Sequence, residues 1–178
     1  MKIDRVVVGS YLENCYIVSQ DNNCIIIDPG DSFEEIDEII NGMKVLAVLI
    51  THHHFDHIGA LDSVIKKYNP IIFEYDNIKE KNYKIENFSF DVIYTFGHTS
   101  DSVTYYFKEE KIMFTGDFLF ENSIGRTDLE TGNYEEMLKS IEKIKKYDDD
   151  ITVYPGHGNK TVLGLEKLNN YWFDNINL

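Results

Sequence analysis

Apolar and polar positions alternate along the chain in two distinct rhythms. Short apolar runs occur at Ile3 to Val8, Leu12 to Val18, Cys24 to Ile27, Val45 to Ile50, Ile71 to Tyr75, Phe88 to Phe96, Val103 to Phe107, Ile112 to Phe114 and Ile151 to Tyr154. Their length and their Val, Ile, Phe and Tyr content predict strands. Within one of them, Tyr105, Tyr106 and Phe107 are expected to alternate between core and surface.

Helical spacing appears between these runs. In DSFEEIDEIINGM the residues Phe33, Ile36, Ile39, Ile40 and Met43 share one face, with Ser32 and Glu35 as a capping box and Gly42 as a stop. In NYEEMLKSIEKIKKY the stripe is Tyr134, Leu138, Ile141 and Ile144, with Asn133 and Glu136 as the cap. Weaker helical patterns cover Ala60 to Tyr68 and Val162 to Asn170, and the polar stretch Asp76 to Asn87 is expected to be an exposed connection. Strands and helices mixed in this order imply an α/β architecture with a largely buried sheet core. No linker, low-complexity segment or short-period repeat divides residues 1–178, so one domain is expected.

Charge narrows the function classes. The formal net charge of −14 disfavours nucleic acid, which is held chiefly through Lys and Arg, and favours a small-molecule substrate. No apolar run approaches the roughly 20 residues that span a bilayer, and the N-terminal segment lacks the pattern of a secretory signal. The expectation is a cytoplasmic protein that engages no membrane. The two cysteines, Cys15 and Cys24, lie in strand-like runs and are expected to be reduced core residues.

The six histidines are not scattered. His52, His53, His54 and His57 lie in THHHFDH behind the run VLAVLI; His98 follows DVIYTFG, and His157 follows ITVYPG. Asp117 follows KIMFTG in the same way. Four apolar runs thus end in turns bearing metal-capable side chains, and in three a glycine precedes that residue. In an extended backbone His52 and His54 point to one side and can face one cation, while His57 can close on a second. Imidazole and carboxylate suit zinc, iron and related ions. His52, His54, Asp56, His57, His98, Asp117 and His157 therefore form a donor set sized for two cations. A single histidine or a single TGD or PGH turn would be an ordinary surface or core feature. The combination is what points to metal.

The segments NCYIV, IIIDPGD, THHHFDHIGA, FGHT, SVTYYF, TGDFLFENSIGRTDL, YPGHGNKT and LGLEK run across nearly the whole chain. Together they resemble the metallo-β-lactamase superfamily, and within it the glyoxalase II-like (hydroxyacylglutathione hydrolase-like) enzymes. The resemblance implies an αββα sandwich of two mixed sheets with helices on the outer faces. It further implies a binuclear centre at one sheet edge, most commonly zinc, with iron or manganese as alternatives. Carried over by position, His52, His54 and His98 would hold one ion, Asp56, His57 and His157 the other, and Asp117 would bridge. Asp56 and Asp117 would also serve the chemistry, and His53 fills the variable position between ligands.

Three departures stand out. The turn that commonly reads GHTPGS in relatives is GHTSDS here, placing Asp101 where glycine is usual. Tyr171 replaces a common proline after EKLNN. The helical C-terminal domain that supplies glutathione contacts in full-length glyoxalase II has no counterpart among residues 1–178, so the thiol carrier is left open. Hydrolysis of a small thioester by a metal-held hydroxide is the reading the resemblance implies. Its rivals are a persulfide dioxygenase with one iron on His52, His98 and Asp117, and a metal-binding module without catalysis. Arg126 and Asp128 in SIGRTD are read as a pair that fixes the loop after Asp117 rather than as substrate contacts.

Overall fold

A computed structural model of the chain describes residues 1–174, and each of the nine apolar runs contains a strand. The first sheet comprises β1 (Lys2–Val8), β2 (Glu13–Gln20), β3 (Asn23–Ile27), β4 (Lys44–Leu49) and β5 (Ile71–Phe73), in that spatial order. The pairs β1–β2 and β2–β3 are antiparallel, whereas β3–β4 and β4–β5 are parallel. Strands β6 (Asn82–Ile85), β7 (Phe88–Tyr94), β8 (Val103–Phe107) and β9 (Ile112–Gly116) begin the second sheet. A short ribbon of β10 (Leu119–Phe120) and β11 (Ser123–Ile124) follows, and β12 (Thr152–Pro155) and β13 (Thr161–Val162) complete the sheet in the order β13-β12-β9-β8-β7-β6. Both sheets are mixed, as the resemblance implied.

Side-chain alternation builds the layers. Tyr16, Val18, Ile25, Ile27 and Leu49 of the first sheet meet Phe90, Val92, Tyr105, Phe107 and Phe114 of the second in a central core. The alternate positions Cys15, Ile17, Cys24, Ile26 and Val48 face outward, under Ile36 and Ile40 of α1 (Phe33–Ile40) and Val64 of α3 (Leu61–Tyr68). The one-turn helix α2 (Phe55–Ile58) precedes α3. On the far side, Ile93, Tyr106, Met113 and Val153 pack under Met137, Ile141 and Ile144 of α4 (Tyr134–Ile144). Leu163 of α5 (Leu163–Asn169) and Phe173 of α6 (Tyr171–Asp174) complete that layer. Both cysteines are buried free thiols. Among the described residues no helix is long and apolar enough to cross a membrane.

Several local expectations are corrected. Ser32 adopts a left-handed conformation (φ 51°) and its side chain caps nothing, because a hydroxyl reaches the third helical N–H only from an extended backbone. Asn41, at φ 45°, ends α1 one residue before Gly42. Ile39 is 40% exposed, so the buried face of α1 is Ile36 and Ile40. Asn133 does cap α4, its side chain accepting from the Glu136 N–H, but the buried stripe is Met137, Ser140, Ile141 and Ile144. Tyr134 lies at the first helical position, 45% exposed, with its ring against Trp172. Tyr105, Tyr106 and Phe107 are all buried rather than alternating, because both faces of the second sheet are covered. The stretch Asp76 to Asn87 is not wholly a connection. It contains β6, whose Tyr83 and Ile85 pack against the central core.

Polar groups lock the far end of the chain. The buried Glu166 carboxylate accepts hydrogen bonds from Thr161 Oγ1 (2.6 Å), the Asn122 N–H (2.8 Å) and Asn170 Nδ2 (2.8 Å). This accounts physically for the Thr and Glu of the GHG…T…EK pattern.

Phe90 sits at the centre of the sandwich, fully buried, with the rings of Phe73, Tyr83, Tyr105 and Phe107 between 5.5 and 5.9 Å away. Phe90→Ala should lower stability by about 3–5 kcal/mol. Urea unfolding of the variant with a loss below about 1 kcal/mol would contradict this packing.

Candidate metal centre

Strand direction determines where the histidines go. Strand β8 is antiparallel to both β7 and β9, and β12 is parallel to β9, so β7, β9 and β12 run the same way. Their C-terminal ends, followed by His98, Asp117 and His157, emerge at one edge of the second sheet. In the first sheet β3 and β4 are parallel and deliver Asp28 and the THHHFDH segment to one edge. The two edges are joined there by Val103 N–H to the Thr51 carbonyl (2.8 Å) and Asn14 N–H to the Gly156 carbonyl (2.7 Å).

Two of the glycines are required by this crowding. A Cβ at Gly156 would lie 2.5 Å from Asp117 Oδ1 and 2.6 Å from His57 Cε1. One at Gly116, where φ is +50°, would lie 2.2 Å from Thr51 Oγ1.

All seven predicted donors converge. His52 Nε2 and His98 Nε2 each lie 3.0 Å from His54 Nδ1. Asp56, His57 and His157 offer a second set whose ligand atoms lie within 4.8 Å of one another, and His157 Nε2 is 3.4 Å from Asp56 Oδ2. Asp117 lies between the sets: Oδ1 is 3.3 Å from His57 Nε2, and Oδ2 is 3.5 Å from His98 Nε2 and 3.6 Å from His157 Nε2.

The outward hydrogen bonds decide what faces inward. His98 Nδ1 donates to the Arg126 carbonyl (2.8 Å), and His157 Nδ1 donates to the Tyr11 carbonyl (3.1 Å). His57 Nδ1 donates to Asp28 Oδ2 (3.0 Å). Thr51 Oγ1 donates to the same carboxylate (2.6 Å), and so accepts from His52 Nδ1 (3.1 Å). The Nε2 atoms of four histidines therefore face the centre. Carboxylate oxygens add more acceptors, and His57 Nε2 and Asp117 Oδ1 are buried with no hydrogen-bond partner. Imidazoles and carboxylates arranged in two tight groups around a shared carboxylate fit a pair of metal ions.

Burial and the neighbouring imidazoles push the His52 pKa well below its usual value, keeping it a neutral ligand. At His57 burial also disfavours the charge, but the Asp117 and Asp28 carboxylates outweigh it and the direction is upward. Glu13 is buried behind His57, its Oε1 3.8 Å from Nδ1, and burial pushes its pKa up to about 10.

His53 lies outside the donor set, as expected. Its Nδ1 is 2.6 Å from Asp101 Oδ2 and its Nε2 2.9 Å from Glu74 Oε2. The Asp101 hydrogen bond, with that of Glu74, raises its pKa to about 9 despite partial burial. Arg126 and Asp128 form an exposed two-point pair at 2.7 and 2.8 Å, in keeping with the loop-fixing reading.

Asp28, Thr51 and Glu13 went unassigned in the sequence. Asp28 carries the available signal, since IIID ends an apolar run in an acidic side chain just as KIMFTGD does. Asn14 has a comparable supporting role. Its Nδ2 donates to the Pro155 and Gly158 carbonyls (both 3.0 Å), holding the His157 loop against β2.

Comparison with known proteins agrees with this geometry. The metallo-beta-lactamase superfamily matches residues 8–82 and 77–157. The chain is 34% identical to Probable metallo-hydrolase YqgX of Bacillus subtilis, covering all of both chains. It is 31% identical to hydroxyacylglutathione hydrolase GloC of Haemophilus influenzae over 96% of this chain and 97% of that one. Among solved structures, the BLEG-1 B3 metallo-beta-lactamase superposes with a TM-score of 0.92 at 30% identity, covering 97% and 99% of the two chains. TTHA1623, crystallised in a di-iron-bound form, superposes with a TM-score of 0.87 at 27% identity over 95% and 99%.

Asp28 fixes both His57 and, through Thr51, His52. Asp28→Ala should therefore weaken zinc affinity by about 10–100-fold, measured by competition with a chromophoric chelator. Unchanged affinity would contradict the role assigned to these outward hydrogen bonds.

Proposed function

This chain belongs to the metallo-β-lactamase superfamily, and on that footing we propose that it is a binuclear metal-dependent hydrolase of small thioesters. The observation that carries the proposal is the convergence of seven metal-capable side chains in two tight groups about a shared carboxylate. The similarity to a hydroxyacylglutathione hydrolase over nearly the full length of both chains supports the thioester class. We assign His52, His54 and His98 to one ion, Asp56, His57 and His157 to the other, and Asp117 to both. The di-iron form of one structural neighbour makes iron, beside zinc, a natural occupant.

Two divalent ions here would supply Lewis acidity, lowering the pKa of a water held between them and polarising a substrate carbonyl. The chain's own residues prepare that chemistry. Outward hydrogen bonds from four imidazoles hold their Nε2 atoms in place before substrate arrives, so little reorganisation accompanies reaction. The Asp117 carboxylate, whose oxygens lie 3.3 to 3.6 Å from three imidazoles, supplies negative charge at the midpoint of the site. Asp56, half-buried beside His157, is placed to accept a hydrogen bond from the attacking water and so to aim it. A thiolate leaves readily, which removes the need for a strong general acid. The formal charge of −14 disfavours polyanionic substrates and favours a small one.

Protein purified without a tag should carry two ions per chain by elemental analysis and hydrolyse at least one member of a thioester panel. Asp117→Asn should lose metal and reduce hydrolysis together, by on the order of 100-fold. Full metal content with full activity in that variant would remove Asp117 from its bridging role. One iron per chain together with oxygen uptake on a persulfide would replace the hydrolase reading with a dioxygenase. Tight metal binding without turnover of any thioester, lactone or lactam would leave a binding module.

A further inference from the structure

Asp101 stands in the turn after His98, and its Oδ2 accepts two hydrogen bonds. His53 Nδ1 donates to Asp101 Oδ2 at 2.6 Å, and the His53 backbone N–H donates to the same oxygen at 3.2 Å. The other ring nitrogen, Nε2, donates to Glu74 Oε2 at 2.9 Å. One imidazole is thus gripped at both ends by carboxylates from two other loops.

Each loop leads somewhere specific. His53 lies between His52 and His54, and in extended backbone its side chain points away from theirs. Fixing its ring fixes the rotation of the segment about its own axis, and so the aim of both neighbours. Asp101 follows His98 by three residues, in a turn closed by the Thr99 Oγ1 and Ser102 Oγ contact at 2.6 Å. Glu74 immediately follows β5, where its N–H donates to Asn77 Oδ1 at 3.2 Å. The contacts therefore tie the ends of β4 and β5 in one sheet to the end of β7 in the other.

We propose that Asp101, His53 and Glu74 form a clamp that positions His52 and His54 against His98, pre-setting the first metal site. Asp101 and His53 are positioning residues, since neither belongs to the donor set. The clamp lies at the surface, where ion pairs add little to global stability, so its effect falls on ligand geometry. With glycine at 101, the grip on His53 from the β7 side would be gone, leaving the Val103-to-Thr51 backbone bond and the His98–His54 ring contact between those loops.

The inference rests on the metal assignment proposed above and is independent of the substrate. Its test uses the full chain in an Asp56→Ala, His157→Ala background, which removes two ligands of the second set and leaves His52, His54 and His98 to bind one zinc ion. Chelator competition should show Asp101→Gly binding zinc about tenfold more weakly than its parent. Asp101→Asn, which keeps an acceptor for His53, should recover most of that loss. His53→Ala with Asp101→Gly should be no weaker than either change alone, because both remove one device. Thermal unfolding of the metal-stripped variants should match that of the parent. Equal zinc affinity in Asp101→Gly, additive losses in the double variant, or a parallel fall in melting temperature would overturn the clamp. Failure of the otherwise unaltered chain to bind zinc would instead overturn the metal assignment beneath it.

Discussion

The cost of burying imidazoles and carboxylates together is the constraint around which this molecule is arranged. Polar and titratable groups gathered this closely are expensive to take out of water unless charge compensates them. The fold holds them there through bonds made on the opposite side of each ring: Asp28 and Thr51 behind His57 and His52, the Arg126 carbonyl behind His98, and the Tyr11 carbonyl behind His157. A cation relieves the strain that the protein alone leaves standing. Binding and catalysis then draw on one source, since charge placed to attract a metal also stabilises charge that develops during reaction.

Sheet topology makes such a gathering possible. Three strands of the second sheet and two of the first end at the same edge, so short turns bring residues far apart in sequence to one place. The core beneath is apolar and tightly filled on both faces of each sheet. It acts as a rigid mount: small displacements of strand ends are resisted by packing, and the donor geometry inherits that resistance.

Residue identity alone revealed the donors because their chemistry is incompatible with their surroundings. One such turn would be ordinary; His98, Asp117 and His157 were legible because three strand-end turns of the same form accompany THHHFDH. Runs such as Val45 to Ile50 were legible because two-sided burial leaves an unbroken apolar string, and Phe88 to Phe96 because its apolar positions alternate with polar ones. The supporting partners were harder to read. Asp28 and Glu13 look like ordinary acids in a chain with 31 of them. The backbone carbonyls of Tyr11 and Arg126 leave no mark in the sequence at all. Strand β6 was hidden because its inward positions, Tyr83 and Ile85, are only two and are interleaved with charge. At the start of α1, Ser32 and Glu35 had the right spacing for a cap, but the turn leaving β3 set a backbone conformation the motif cannot use.

The most direct measurement is anomalous diffraction from crystals of untagged protein, with data collected across the zinc and iron absorption edges. The account predicts two peaks about 3.5–4 Å apart, one among His52, His54 and His98 and one among Asp56, His57 and His157. Each peak should lie about 2.0–2.2 Å from its ligand atoms, with Asp117 reaching both. A map with no peak at this edge, or with ions bound elsewhere while the seven side chains keep their present arrangement, would contradict it.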